Sequence, residues 1–260
     1  MSELKASASI AMILRELKLP TVKGTYEEVA RKAENEGWSF EQYLHHLLQL
    51  EMTGRRQGRI ERRLKQSGLL SEKTLGTLDL SRLPIKVARQ LPTLCEGGFA
   101  ERGENVLAFG NPGTGKTHVA SAIGHELVQR DYAVLFVPTF RLVQRMLVAK
   151  RELGLEPLMR QLDRFDVVIL DDIGYVQQDR EEMEVLFTFL SERYERRSVI
   201  ITSNLVFSEW DRIFKDPLTT AAAIDRLVHH ATILELTGKS FRTEAAKSRN
   251  AKPERVEMEA

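Results

Sequence analysis

Eight consecutive residues, Gly110-Asn111-Pro112-Gly113-Thr114-Gly115-Lys116-Thr117, match the pattern G-x-x-x-x-G-K-[ST]. They follow the apolar run Val106 to Phe109 and open a segment of helical periodicity that begins near Lys116. Glycines at these places let the backbone curl so that successive N–H groups converge on a phosphate, and the helix N-terminus adds its positive end. Lys116 would place an ammonium at the β and γ phosphates, and Thr117 would offer a hydroxyl to Mg²⁺. The pattern and its setting predict a nucleoside-triphosphate site along Gly110 to His118.

Two further stretches fall where such a site needs them. Asp166-Val167-Val168-Ile169-Leu170-Asp171-Asp172 reads as a buried strand ending in two carboxylates, the Walker B arrangement. Asp171 would hold Mg²⁺ and Asp172 would polarise an attacking water; two acids at a strand end also serve as a turn or a helix N-cap. Ser198 to Asn204 reads as another strand ending in Thr202-Ser203-Asn204. Asn204 could hydrogen-bond the γ-phosphate or the water, although Ser-Asn after a strand is also ordinary turn chemistry.

These residues require a scaffold that brings strand ends together. Val106 to Phe109, Ala133 to Val137, Val167 to Leu170, Val199 to Thr202 and Ile233 to Leu236 are five short apolar runs separated by helix-length segments. Runs apolar on both faces and alternating with helices predict an α/β fold with a parallel sheet covered on both sides. Upstream, residues 1–75 interleave charged and apolar residues at three and four spacing, as in Tyr43, Leu44, Leu47 and Leu48, and predict a small helical domain. Pro84, Pro92, Gly97, Gly98 and Gly103 punctuate residues 76–103, expected to be a linker or wrapping segment. The phosphate-binding domain is expected over 104–246, with a flexible charged tail over 247–260.

Composition narrows the class. The chain has 260 residues, 42% hydrophobic and 29% charged, which is ordinary for a globular protein and excludes collagen-like and low-complexity chains. Lys plus Arg is 38 against 37 for Asp plus Glu, so an anion-seeking surface must be local. One candidate is Arg55, Arg56, Arg59, Arg62, Arg63 and Lys65, of which Arg55, Arg59, Arg62 and Arg63 share a helix face. Such a stripe can track phosphates of DNA, or simply be a solvated face. Cys95 is the single cysteine, so no internal disulfide forms, and no apolar run reaches the length of a membrane span. A cytoplasmic protein with no membrane contact is expected. His229 and His230 could suggest a metal, but no third ligand has suitable spacing, so interface packing is expected; Trp210 is expected to anchor the core.

The order of Gly-x-x-x-x-Gly-Lys-Thr, Asp-Asp-Ile-Gly-Tyr at 171–175, Ile-Ile-Thr-Ser-Asn at 200–204, Trp210, Ala-Ile-Asp-Arg-Leu-Val-His-His at 223–230 and Gly-Lys-Ser-Phe-Arg at 238–242 resembles the IstB family. These are AAA+ ATPase helpers encoded beside a transposase in insertion sequences, related to bacterial helicase loaders. The resemblance implies a P-loop AAA+ core with a five-stranded parallel sheet of order 5-1-4-3-2 and no full C-terminal lid. It implies ATP and Mg²⁺ bound between subunits of a homo-oligomer on duplex DNA, and recruitment or stimulation of a cognate transposase. The helicase-loader role is the alternative, and a metabolic P-loop kinase or GTPase is a third class, against which stands the lack of an Asn-Lys-x-Asp guanine reader.

The resemblance also implies residue roles. Arg226 matches the place of an arginine finger, its other reading being a salt bridge with Asp225; Arg242 matches a sensor arginine. Arg141, Arg145, Lys150 and Arg151 lie where initiator-type AAA+ proteins insert an element lining a DNA path. Asp172 stands where most AAA+ proteins have Glu, one methylene longer, so the implied ATPase is expected to be slow, and its turnover to be stimulated by DNA.

Overall fold

The structure is a computed structural model and describes residues 2–175, 180–206, 209–210, 217–238 and 240–241. The chain divides into two compact units, Met1–Arg62 and Arg63–Ala260. The division falls upstream of residue 75, inside a long helix.

The first unit is helical: α1 (Ser2–Glu16), α2 (Pro20–Glu36) and the start of α3 (Phe40–Ser67). Pro20 suits the first turn of α2, where its missing N–H removes a donor that would have no helical partner. Gly37 ends that helix in the left-handed region at φ 67°, with Gly37 N–H bonded to Glu34 O at 3.4 Å and Trp38 N–H to Ala33 O at 2.9 Å. Val22, Val29 and Leu47 form a small core, packed by Leu14, Tyr26, Trp38 and Tyr43 among others. Glu51, buried on α3, accepts the N–H groups of Thr21 at 2.9 Å and Val22 at 3.1 Å, and pairs with Arg55 at 2.8 Å. Burial works against its charge, yet the bonds from Arg55, Val22 and Thr21 outweigh it and hold the carboxyl below its ordinary pKa.

The second unit is built on five parallel strands: β1 (Asn105–Phe109), β2 (Val134–Pro138), β3 (Val167–Asp171), β4 (Ser198–Ser203) and β5 (Ala231–Glu235). Their order is β2-β3-β4-β1-β5, the expected order read from the other edge. β5 begins two residues before the apolar run that marked it, because Ala231 and Thr232 pair with Asn105 and Val106. The described helices here are α4 (Ile85–Glu96), α5 (Gly98–Glu101), α6 (Lys116–Gln129), α7 (Thr139–Arg151), α8 (Leu155–Leu162), α9 (Arg180–Arg193) and α10 (Pro217–Val228).

Alternation along the strands decides which helix covers which face. Leu107, Phe109, Val168, Leu170, Val199 and Ile201 pack with Leu142 and Met146 of α7, Leu186 and Phe189 of α9, and Leu227 of α10. On the opposite face lies α6. A Cβ on Gly124 would stand 2.8 Å from Ile169 and 2.7 Å from Leu69, so helix and sheet approach closely only because that position is glycine. Trp210 is fully buried against Phe109, ring centroids 6.2 Å apart, and donates to Leu205 O at 3.2 Å, the core anchor expected of it.

Arg193 locks the strand starts at the end of the sheet away from the Walker B acids. Its guanidinium donates to Leu162 O, Phe165 O, Asp166 O and Ser198 O at 2.9 to 3.2 Å. Burial pulls its pKa down to about 10, which leaves it charged at neutral pH. Among the described residues no helix is long and apolar enough to cross a membrane. Arg242 and the tail from 247 lie outside the described residues.

Candidate nucleotide site

Three strands deliver the site. β1 runs into the glycine loop, β3 into the paired acids and β4 into Thr202-Ser203-Asn204. In a parallel sheet with β3, β4 and β1 adjacent, these endings emerge along one edge, where ligands of open α/β sheets sit.

The loop adopts backbone angles that its glycines permit. Gly113 has φ 84° and Gly115 φ 97°. A Cβ on Gly110 would fall 2.4 Å from Leu236 O, and one on Gly113 would fall 2.1 Å from Ser240 Oγ. Gly115 is the N-cap of α6 and, as a glycine, brings no side chain to cap it. The Lys116 ammonium, largely buried, curls back to donate to Gly110 O at 2.6 Å and Asn111 O at 3.0 Å. Asn111 O also accepts from Thr114 Oγ1 at 2.9 Å, so one carbonyl fixes the bend of the loop.

Thr202 couples the acids to the neighbouring strand. Its hydroxyl donates to Asp171 Oδ1 at 2.8 Å and accepts the Asp172 N–H at 2.8 Å. Asp172 is held at φ 60°, a left-handed conformation uncommon for a residue with a side chain and concentrated at functional sites. Asn204 Oδ1 is buried with no hydrogen-bond partner among the described residues, and Gly174 leaves room for it, since a Cβ there would be 2.3 Å away.

A cavity of about 360 Å³ joins these parts, lined by Pro112, Gly113, Gly115, Lys116, Thr117, His118, Asp172, Thr202 and Asn204. Its other wall was not foreseen. Thr77, Leu78, Asp79 and Arg82 line it from the segment read as a linker or wrapping segment, with Lys73 from the end of the region read as helical, together with Phe241. The stretch beside the cavity forms two short 3-10 turns, Leu75–Thr77 and Leu80–Arg82, and α4 and α5 follow within residues 76–103. His118 Nε2 lies 3.1 Å from Thr74 O and 3.2 Å from Thr77 Oγ1, and the Arg82 guanidinium stacks 3.6 Å over the Phe241 ring. Phe241 N–H in turn donates to Gly113 O at 2.9 Å. The Thr74-x-x-Thr77 and Asp79-x-Ser81 spacings are the local signal that could have marked ordered turns.

Other candidates lie outside this cavity. Asp171 stands behind it through Thr202. Arg226 does not line it: its guanidinium lies 4.9 Å over the Phe187 ring, and Nη1 is buried with no hydrogen-bond partner among the described residues. Of the basic stripe, Arg55 bonds Glu51 and Lys18 O, Arg62 bonds Gly58 O at 3.1 Å, and Arg63 pairs with Asp131 at 2.6 Å. Arg59, Arg141 and Arg145 are exposed, while Lys150 and Arg151 pair with Glu184 and Glu181.

The glycine cradle and the buried ammonium at its floor fit a triphosphate, and the orphaned Asn204 oxygen can accept from a water beside it; the Asp171 carboxylate and the Thr117 hydroxyl are oxygen donors of the kind Mg²⁺ takes. Comparison with known proteins agrees on kinship. Residues 12–249 match the family described as IstB-like ATP binding protein. An insertion-sequence ATP-binding protein of Sinorhizobium fredii is 43% identical over 240 residues, spanning 92% of this chain and 80% of that protein. A protein described as the ATP-binding protein of insertion sequence IS21 from Pseudomonas aeruginosa is 39% identical over 236 residues, spanning 90% and 88%. The crystal structure of the DnaC helicase loader shares the fold, with TM-score 0.52 and 18% identity over 58% of this chain and 89% of that one. The chain therefore belongs to the IstB-like ATP-binding family.

Proposed function

We propose that this chain binds and hydrolyses ATP, assembles with copies of itself on duplex DNA, and recruits or stimulates the transposase of an insertion sequence. The observation that carries the nucleotide part is the meeting of the glycine loop, Lys116, Asp172, Thr202 and Asn204 around one cavity at a helix start whose N-cap is a glycine. The DNA and transposase parts rest on family membership and on likeness to insertion-sequence proteins.

In this reading the loop N–H groups and the start of α6 receive the phosphates, and Lys116 exchanges its two carbonyl partners for phosphate oxygens. Thr117 and Asp171 would hold Mg²⁺, which supplies charge neutralisation on the triphosphate when bound. Asp172 takes the role of water-orienting base, kept in place by its N–H bond to Thr202, and Asn204 turns its orphaned oxygen toward the water or its amide N–H toward the terminal phosphate. Arg226, outside the cavity of its own chain, is assigned to the site of a neighbouring copy, where a guanidinium would neutralise transition-state charge. Arg55, Arg59, Arg62, Arg63, Arg141 and Arg145 are the assigned phosphate contacts to DNA, for which Arg55 and Arg63 would exchange the carboxylates of Glu51 and Asp131.

The test is the solution mass of the full chain with and without duplex DNA, ATP and Mg²⁺. A large species that requires ATP and DNA together is expected, with DNA affinity falling steeply with salt. A mass unchanged by any combination would reject assembly on DNA.

A further inference from the structure

The turns after α9 and α10 bring together three side chains with lone pairs to share. Glu195 lies in the turn between α9 and β4, and His229 and His230 lie in the turn between α10 and β5. One carboxylate oxygen and one ring nitrogen from each histidine lie within 4.8 Å of one another, and all three residues are exposed. In the sequence the histidine pair had no third ligand at a useful spacing; the chain crossing from α9 into β4 supplies one.

We propose that Glu195, His229 and His230 form a binding site for a first-row divalent transition ion, zinc foremost, with water completing the shell. Two imidazoles and one carboxylate are a borderline donor set, suited to such ions and poorly suited to Mg²⁺ or Ca²⁺, which take oxygen. Ligand atoms around a four-coordinate zinc stand about 3.3 Å apart, so from the observed spread each would close in by less than about 1 Å. Rotation of exposed side chains covers that distance, because the backbone beneath is already placed. His230 O accepts the Asn105 N–H at 2.8 Å and His229 N–H donates to Asp225 O at 3.0 Å. Glu195 is held at φ 56°, between two N–H bonds onto Arg193 O from Arg196 and Arg197.

The surroundings match those of a metal ligand set. The Tyr194 hydroxyl lies 3.1 Å from His229 Nδ1, so it orients one of the ligands, as outer partners of metal sites do. The two imidazole centroids are 4.1 Å apart. An ion here would tie the α9–β4 turn to the α10–β5 turn and fix the end of the helix that carries Arg226. The inference does not depend on the nucleotide reading, since none of its ligands lines that cavity.

The test uses tag-free full-length chain, stripped with a chelator and free of nucleotide. Calorimetric titration with zinc, and cobalt(II) absorption, are compared between wild type and the His229→Gln/His230→Gln double variant. One ion per chain is expected in the wild type, with intense low-coordinate cobalt bands, and both are expected to disappear in the double variant. Glu195→Gln should weaken zinc at least about tenfold, the scale of losing one ligand or its close support. Equal stoichiometry and affinity in wild type and double variant would place the ion on other histidines and overturn the site, as would absence of binding at micromolar zinc. ATP binding and far-ultraviolet circular dichroism report folding of each variant; should the double variant unfold, Glu195→Gln on its exposed turn decides alone, and undiminished affinity there rejects the proposal.

Discussion

Helices α2 and α6 both begin with backbone N–H groups that have no partner within the helix, and the two units of the chain treat them differently. In the helical unit, Glu51 reaches across from α3 and accepts two of those groups at the start of α2. In the sheet unit, α6 starts at Gly115 in the left-handed region, an N-cap residue with no side chain to offer. The first terminus already has its anion within the chain, and the carboxylate is part of the fold. The second borders a cavity lined by Lys116, Asp172 and Asn204, and in the proposed function a phosphate from outside the chain takes the place that Glu51 takes in the first. The same physical demand yields stability in one place and binding in the other.

This contrast can be broken from either side. Asp172→Asn keeps the anion grip and removes the base: ATP turnover should fall about a hundredfold or more while ATP affinity holds, measured by phosphate release and by calorimetry. Unchanged turnover would remove Asp172 from the chemistry. Lys116→Ala attacks the grip itself and should weaken ATP binding about 10- to 100-fold, the scale of one charged hydrogen-bonding group, with helical content unaltered; equal affinity would mean that the α6 terminus is not a phosphate site.

Glu51→Gln should act in the opposite sense, lowering unfolding free energy by about 1 kcal/mol in denaturant titration and leaving ATP affinity untouched. The pH dependence follows from the direction of its pKa. A carboxyl held below its unfolded value contributes stability that is present above that unfolded value and lost as pH falls through the folded one. The gap between wild type and Glu51→Gln should therefore close between about pH 5 and pH 3. A gap constant across that range would show that the charge is not what caps α2.

The site was legible in unequal parts. The phosphate loop could be read because its function lies in local backbone geometry: Gly110, Gly113 and Gly115 occupy angles or approaches that a side chain would obstruct. Asp172 and Asn204 could be read because each ends an apolar run, and strand ends of a parallel sheet share an edge. Thr74 to Arg82 could not, since its contribution comes from contacts with His118 and Phe241, distant in sequence. Nor could the fate of the basic stripe. Helical periodicity places Arg55, Arg59, Arg62 and Arg63 together, but whether each charge is available depends on Glu51, Lys18 and Asp131.

By itself the sequence determined the elements with strong local physics: five apolar strands, the glycine loop, the acids that terminate β3 and the identity of the fold family. Tertiary structure alone decided where charge is spent. It buried Glu51 against a helix start, turned Arg193 onto four carbonyls, stacked Arg82 on Phe241 and brought Glu195 to His229 and His230. The reason is range: backbone conformation and burial pattern are set within a few residues, whereas the partner of a charged side chain is chosen by whatever the folded chain brings within about 4 Å of it.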